Sequence, residues 1–239
     1  MIRLEVAVDD VLGLAEAVAG GADRVELCSA LEIGGLTPSA GLMRAAADCG
    51  LPAFAMVRPR SGGFCYVPQE LAVMHGDIAA ARAAGLAGVV FGALDNSAGA
   101  LDMAAMRGLC TAAAGMDVTL HRAFDLARDW RLALDQAVDL GIGRILTSGG
   151  ALSAPAATAR LAEMMEYGAG RIIVMPGAGI TADTVGALAG LHLSEVHASC
   201  GLPLIHDAAV LAKGFASAAA KRCDPGQVAA LKAALACLA

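Results

Sequence analysis

The hydrophobic pattern of this chain repeats one unit. A short apolar, β-branched run meets a polar or glycine-rich break, and apolar residues at helical spacing follow. The runs predict strands at Leu4–Val8, Arg24–Cys28, Ala53–Arg58, Gly88–Gly92, Val118–His121, Arg144–Thr147, Arg171–Met175 and Glu195–Ala198. Thr37-Pro38 and Asp224-Pro225 each set a side-chain acceptor before a proline, the pattern of a helix start. Asp9, Ser153 and Thr181 are further caps, and Gly20, Gly50, Gly85, Gly115, Gly141 and Gly168 mark stops. Eight βα units in 239 residues predict one (β/α)₈ barrel of the TIM type over 1–239. A doubly wound sheet would carry a glycine fingerprint after the first strand, where Val8-Asp9-Asp10-Val11 has none. The stretch 200–222 has no clear period. An irregular connection is expected there, before a last helix from Pro225.

Strand side chains alternate, and a helix layer outside the barrel tolerates only apolar ones. Charged residues therefore mark the inward parity: Glu5, Glu26 with Cys28, Met56 with Arg58, Thr119 with His121, Thr147, Met175, and Glu195 with His197. In such barrels the site lies at the carboxyl ends of the strands. Val118-Thr-Leu-His-Arg-Ala-Phe-Asp125 places a base, a fixed cation and an acid at one such end. His121 and His197 are the candidate catalytic histidines, with Glu26 and Asp125 as carboxylates. Glu26 is read as the partner of His121. Arg58, Arg60 and Arg122 form a candidate anion clamp, because guanidinium forks grip carboxylates and phosphates. Thr147-Ser148-Gly149-Gly150 and Pro176-Gly177-Ala178-Gly179 add backbone donors that can cradle an anion. The plain alternative is that these residues fill the barrel, pair with one another, or make tight turns.

Composition narrows the partners. A net charge of −6 and few aromatics argue against nucleic acid. No apolar run reaches the roughly 18 residues of a membrane span, and the N-terminus lacks a signal-peptide pattern. Seven scattered cysteines without CxxC fit free thiols in a reducing, cytoplasmic setting. The three lysines, Lys213, Lys221 and Lys232, fall outside every predicted strand, which argues against a Schiff-base mechanism. Cys28, Met56 and Met175 share the inward parity with His121, and soft sulfur ligands favour copper(I) over copper(II). Met and Cys are equally ordinary core filler.

Together, several segments resemble the CutC family, commonly named for copper homeostasis. They are Arg24-Val-Glu-Leu-Cys-Ser-Ala-Leu31, Gly34-Gly-Leu-Thr-Pro-Ser39, Val57-Arg-Pro-Arg60, His121-Arg-Ala-Phe-Asp125, Leu146-Thr-Ser-Gly-Gly150, Met175-Pro-Gly-Ala-Gly179 and Glu195-Val-His-Ala-Ser199. Gly62-Gly63 departs from the Gly-Asp pair common in that family. The resemblance implies a cytoplasmic TIM-type barrel with a role in copper handling. It brings no settled reaction. Three readings stand: a copper homeostasis protein binding copper(I), a barrel enzyme acting on a small anionic or phosphorylated metabolite, and a non-catalytic binding protein. The expected partner is a small anion or a copper ion, and self-association into a homo-oligomer is left open.

Overall fold

Parallel strands wrapped by helices are buried on both faces, so they read as nearly continuous apolar runs. A computed structural model describes residues 1–95 and 99–238. Its barrel strands are β1 (Arg3–Val8), β2 (Arg24–Leu27), β3 (Ala53–Met56), β4 (Gly88–Phe91), β5 (Asp117–Leu120), β6 (Arg144–Thr147), β7 (Ile173–Pro176) and β8 (Glu195–Ala198). They pair in parallel in the order β7-β6-β5-β4-β3-β2-β1-β8. No ladder joins β7 to β8 among the described residues, so the (β/α)₈ barrel is nearly closed. The outer helices are α1 (Val11–Ala19), α2 (Ala40–Ala47), α3 (Pro68–Ala83), α4 (Met103–Ala112), α5 (Trp130–Asp139) and α6 (Thr158–Gly168). A large apolar core fills the space between strands and helices. A smaller cluster of Cys28, Phe54, Met56 and Val90 sits inside the barrel.

Several local expectations shift. Ser39, not Thr37, caps α2, because the Thr37 hydroxyl is drawn to Asp77 and the Arg58 carbonyl. Asp10, not Asp9, caps α1, while Asp9 accepts from the Leu31 amide. Gly168 lies inside α6, which ends at Ala169 in the left-handed region. Thr181 opens only a turn closed by Thr184. The segment after β7 forms a short 3₁₀ turn, Val185–Leu188, where glycines at 186 and 190 weaken a longer helix.

The stretch 200–222 is more ordered than its composition suggests. β9 (Gly201–Pro203) and β10 (Lys221–Cys223) form an antiparallel pair, with α7 (Ala208–Ala212) between them and α8 (Pro225–Ala236) after. Arg222 ties this pair to Asp10, the α1 cap. Lys221 therefore does lie on a strand, contrary to the sequence reading. It is exposed at the rim of the mouth, without the desolvation that activates a Schiff-base lysine.

The barrel floor is ionic. Arg24, 2% exposed, donates to Glu5, Glu195 and the sulfur of Met175. Arg144 donates to Glu195 and Thr119. Both guanidiniums stack on Phe54, at 4.9 and 5.0 Å from its centroid. Arg144 thus faces the axis, and so does Leu146. Thr147 takes the opposite parity and bonds Asp125, which corrects its inward assignment.

Candidate functional site

Parallel register places the key groups side by side. Glu5 is the neighbour of Arg24 on β2 and of His197 on β8. Paired residues on parallel strands present their side chains to the same face, so Arg24, Glu5 and His197 meet inside the barrel. His197 Nδ1–H donates to Glu5 Oε1 at 2.8 Å, and its Nε2 lies 3.8 Å from Glu26 Oε2. Glu26, one layer above Arg24, also accepts the Cys28 thiol at 3.5 Å. Burial opposes the ionisation of Glu5, but the His197 hydrogen bond and Arg24 hold it down at about 2. Burial, helped by the Glu5 charge, pushes Glu26 up to about 7 against the pull of His197. His197 itself is raised, because Glu26 and Glu5 outweigh its burial. The result is a buried line, Arg24–Glu5–His197–Glu26, with a proton poised at its cleft end.

Glu26 is therefore the partner of His197, and the expected His121–Glu26 pair does not form. His121 sits on the other side of the mouth. Its Nδ1 accepts the Ala123 amide at 3.2 Å, which leaves the proton on Nε2. Burial, with Arg58 adding to it, drives its pKa down to about 3, so the ring is neutral. The ring packs 4.8 Å from Phe64, and Arg58 lies 5.0 Å from the same ring. Gly92 makes this possible, since a Cβ there would stand 2.8 Å from His121 Nδ1. Gly177 does the same for β8: a Cβ would meet Leu146 at 2.5 Å and His197 at 3.3 Å. Gly177 is thus a spacer whose amide joins Thr147 in the ladder, rather than an anion donor. Gly92→Ala is expected to cost about 1–3 kcal/mol in urea unfolding and to displace the His121 ring resonances. An unchanged spectrum would remove the spacer role.

The arginine clamp is mostly committed. Arg60 pairs with Glu70, and Arg122 with Asp125. The Arg58 guanidinium donates to the carbonyls of Ile33, Gly35 and Gly62, and no carboxylate is paired with it among the described residues. The first glycine loop already holds an anion, the protein's own Asp125. That carboxylate accepts the amides of Ser148 and Gly150 and the hydroxyls of Thr147 and Ser148, while the Gly149 amide goes to Thr147. Asp125 organises this loop and pairs with Arg122, which lines the cleft, without lining it itself. Gly179, in the left-handed region, does line it.

These tips enclose one cleft of about 770 Å³. Glu26, Arg58, His121, His197 and Phe64 line it, together with His206 from the 200–222 segment. Seven buried side-chain atoms lack a hydrogen-bond partner among the described residues. Four of them belong to this cleft: Glu26 Oε1, Arg58 Nε, His121 Nε2 and His206 Nε2. Buried polar atoms are normally satisfied, so such a concentration marks a place for a ligand.

The soft residues do not gather there. Cys28 and Met56 are neighbours around Gly35, but Cys28 is fully buried, and burial beside Glu26 raises its thiol well above the usual range. Met175 takes a hydrogen bond from Arg24, a cation where a copper ion would need an open sulfur. Of the three sulfurs, Cys28 and Met56 lie together, while that of Met175 is engaged by Arg24. Among the described residues one trio has ligand atoms within 4.8 Å of one another: Glu5, Glu26 and His197. Its donors are oxygen and nitrogen, and Arg24 already stands against Glu5, which suits a shared proton better than a further cation.

The sequence profile of the CutC family matches residues 2–202, most of the chain. The chain belongs to the CutC family. It is 53% identical over 236 residues to a CutC protein of Rhizobium meliloti (strain 1021), covering 98% of this chain and 96% of that one. A CutC protein of Caulobacter vibrioides (strain NA1000 / CB15N) is 50% identical over 204 residues, covering 85% of this chain and 83% of that one. Among solved structures, the CutC of Streptococcus agalactiae, named for copper homeostasis, matches with a TM-score of 0.79 at 31% identity. It covers 83% of this CutC-family chain and 99% of its own. The match confirms the TIM-type barrel. No helix among the described residues is long and apolar enough to cross a membrane.

Proposed function

We propose that this CutC-family barrel is an acid–base enzyme acting on a small anionic metabolite in the cleft. The observation that carries the reading is the concentration of unpartnered polar atoms around Glu26, a carboxyl poised near neutrality. Arg58 supplies a positive charge that pairs with no acid among the described residues, which favours an anionic ligand. Glu26 exchanges a proton with it, and His197, oriented by Glu5, holds or returns that proton. The seven free cysteines suit a reducing cytoplasm. The test is incubation of the protein with small carboxylates and sugar phosphates in D₂O, followed by NMR. Stereospecific deuterium uptake by one of them is expected. No uptake and no thermal stabilisation across the set would overturn the reading.

Copper(I) handling is the second reading. It is favoured by the copper homeostasis name of one relative and by the adjacency of Cys28 and Met56. The acid–base reading predicts that Cys28→Ser leaves the copper(I) affinity unchanged in competition with a copper(I) chelator. Exposed Cys237 takes up copper regardless, so stoichiometry decides nothing. A sharp fall in affinity in Cys28→Ser would establish the barrel lining as the copper site.

A further inference from the structure

We propose that the Nε2–H of His121 and the Nε–H of Arg58 form a two-donor pocket for one oxygen of a planar oxyanion. The ligand class is a 2-hydroxy or 2-oxo acid or a related α-hydroxycarbonyl compound, with the charge developing on its enediolate oxygen. This rests on the acid–base reading and assigns its substrate class.

Two of the four unpartnered atoms in the cleft are these donors. Both side chains are buried, 3% and 6% exposed, and both pack against the Phe64 ring. The Ala123 amide fixes the His121 tautomer from behind, so the ring can only donate toward the cleft. The carbonyls of Ile33, Gly35 and Gly62 hold the ends of the Arg58 guanidinium and leave Nε–H free. The side-chain-free Gly92, just past β4, leaves the room that the His121 ring occupies. A neutral imidazole donor beside a fixed cation is the arrangement that stabilises charge as it develops on a carbonyl oxygen. Phosphate would call for more donors than these two. The Ser148 and Gly150 amides are occupied by Asp125, and the Gly177 amide by the Thr147 carbonyl.

The step balances without a co-reactant. Glu26, as carboxylate, takes the proton from the carbon beside the carbonyl. The C–H electron pair becomes the C=C bond, and the carbonyl π pair moves onto the oxygen, held by His121 and Arg58. Return of that proton to the former carbonyl carbon uses the C=C pair; the neighbouring hydroxyl passes its proton to the oxyanion, its O–H pair forms the new C=O, and an isomerisation is complete.

The probes are oxalate, a planar oxyanion, and inorganic phosphate, titrated into the full chain by calorimetry and by ¹⁵N-histidine NMR. The free protein should show His121 as the Nε2–H tautomer, with that proton moving downfield on oxalate addition. His121→Phe, which keeps the stack on Phe64, should weaken oxalate by about 10- to 100-fold, the worth of a hydrogen bond to a charged group. An Nδ1–H tautomer, an oxalate affinity unchanged in His121→Phe, or tighter binding of phosphate than of oxalate would each overturn the pocket. Glu26→Gln separates the two readings. If it leaves proton exchange intact while oxalate still moves the His121 signal, the acid–base role of Glu26 falls and the oxyanion pocket stands.

Discussion

Glu26→Gln is expected to lower turnover by about a hundred- to ten-thousand-fold, the usual contribution of a positioned general acid or base. The substitution preserves shape, so the protein should stay folded. It removes the cleft-wall carboxyl whose pKa burial pushes up to about 7. KM should move little, because Arg58 and His121 hold the anion from β3 and β5 while Glu26 stands on β2. His197→Gln should behave differently. It leaves Glu26 in place but disconnects it from Glu5, so kcat falls less and the pH profile shifts. Purified Glu26→Gln with undiminished deuterium exchange into the substrate would exclude Glu26 from proton transfer.

The line from Arg24 to Glu26 explains why two carboxylates so close together behave oppositely. Glu5 is ionised because a buried guanidinium and an imidazole N–H both point at it. Glu26 has only a thiol, a more distant imidazole nitrogen and an open lone pair, so burial dominates. Pairs of acids pushed apart by their surroundings are how one site holds both an acid and a base.

Much of this was readable from the chain. β6 and β8 run over the residues the pattern predicts, since their apolar runs end abruptly at polar tips. Inward parity places Glu26, Cys28, Met56, Arg58, His121 and His197 correctly inside the barrel or its mouth. On β6 the rule holds for charged Arg144, which faces the axis, and the inward assignment of Thr147 departs from it. Partner choice was not readable. Which histidine meets which carboxylate depends on the register of β1 with β8, and that contact spans nearly the whole chain. Nor could the sequence say that Asp125 fills the glycine loop from a neighbouring strand tip. The contact of Phe64 with His121 and Arg58 was not readable, because a lone aromatic in a loop carries no period. The β9–β10 pair was not readable because strands of three residues are too short to show alternation and form through pairing across the intervening segment.

The pH dependence of stability should separate Glu26 from His121, because the two act in opposite directions over one window. Glu26 titrates near 4.5 when unfolded and at about 7 in the fold. Between those values the folded state binds more protons, so Glu26 makes stability fall as pH rises. His121 titrates near 6.5 when unfolded and at about 3 in the fold. There the unfolded state binds more protons, so His121 makes stability rise with pH until about 6.5. From pH 4.5 to 6.5 the two slopes largely cancel in the parent protein. Glu26→Gln should therefore gain stability steadily across that range, and His121→Phe should lose it. The gap between the two variants should change by several kcal/mol over those two pH units, at about 1.4 kcal/mol per unit for each proton. Glu5, held down at about 2, acts below the window and is common to both variants. His197, raised in the fold, stabilises below 6.5 and loses that contribution only as pH climbs through its higher folded value. Urea unfolding of the three proteins at several pH values measures the slopes. Parallel curves for the two variants would mean that neither group titrates as its burial dictates, and the acid–base assignment of the cleft would fail with them.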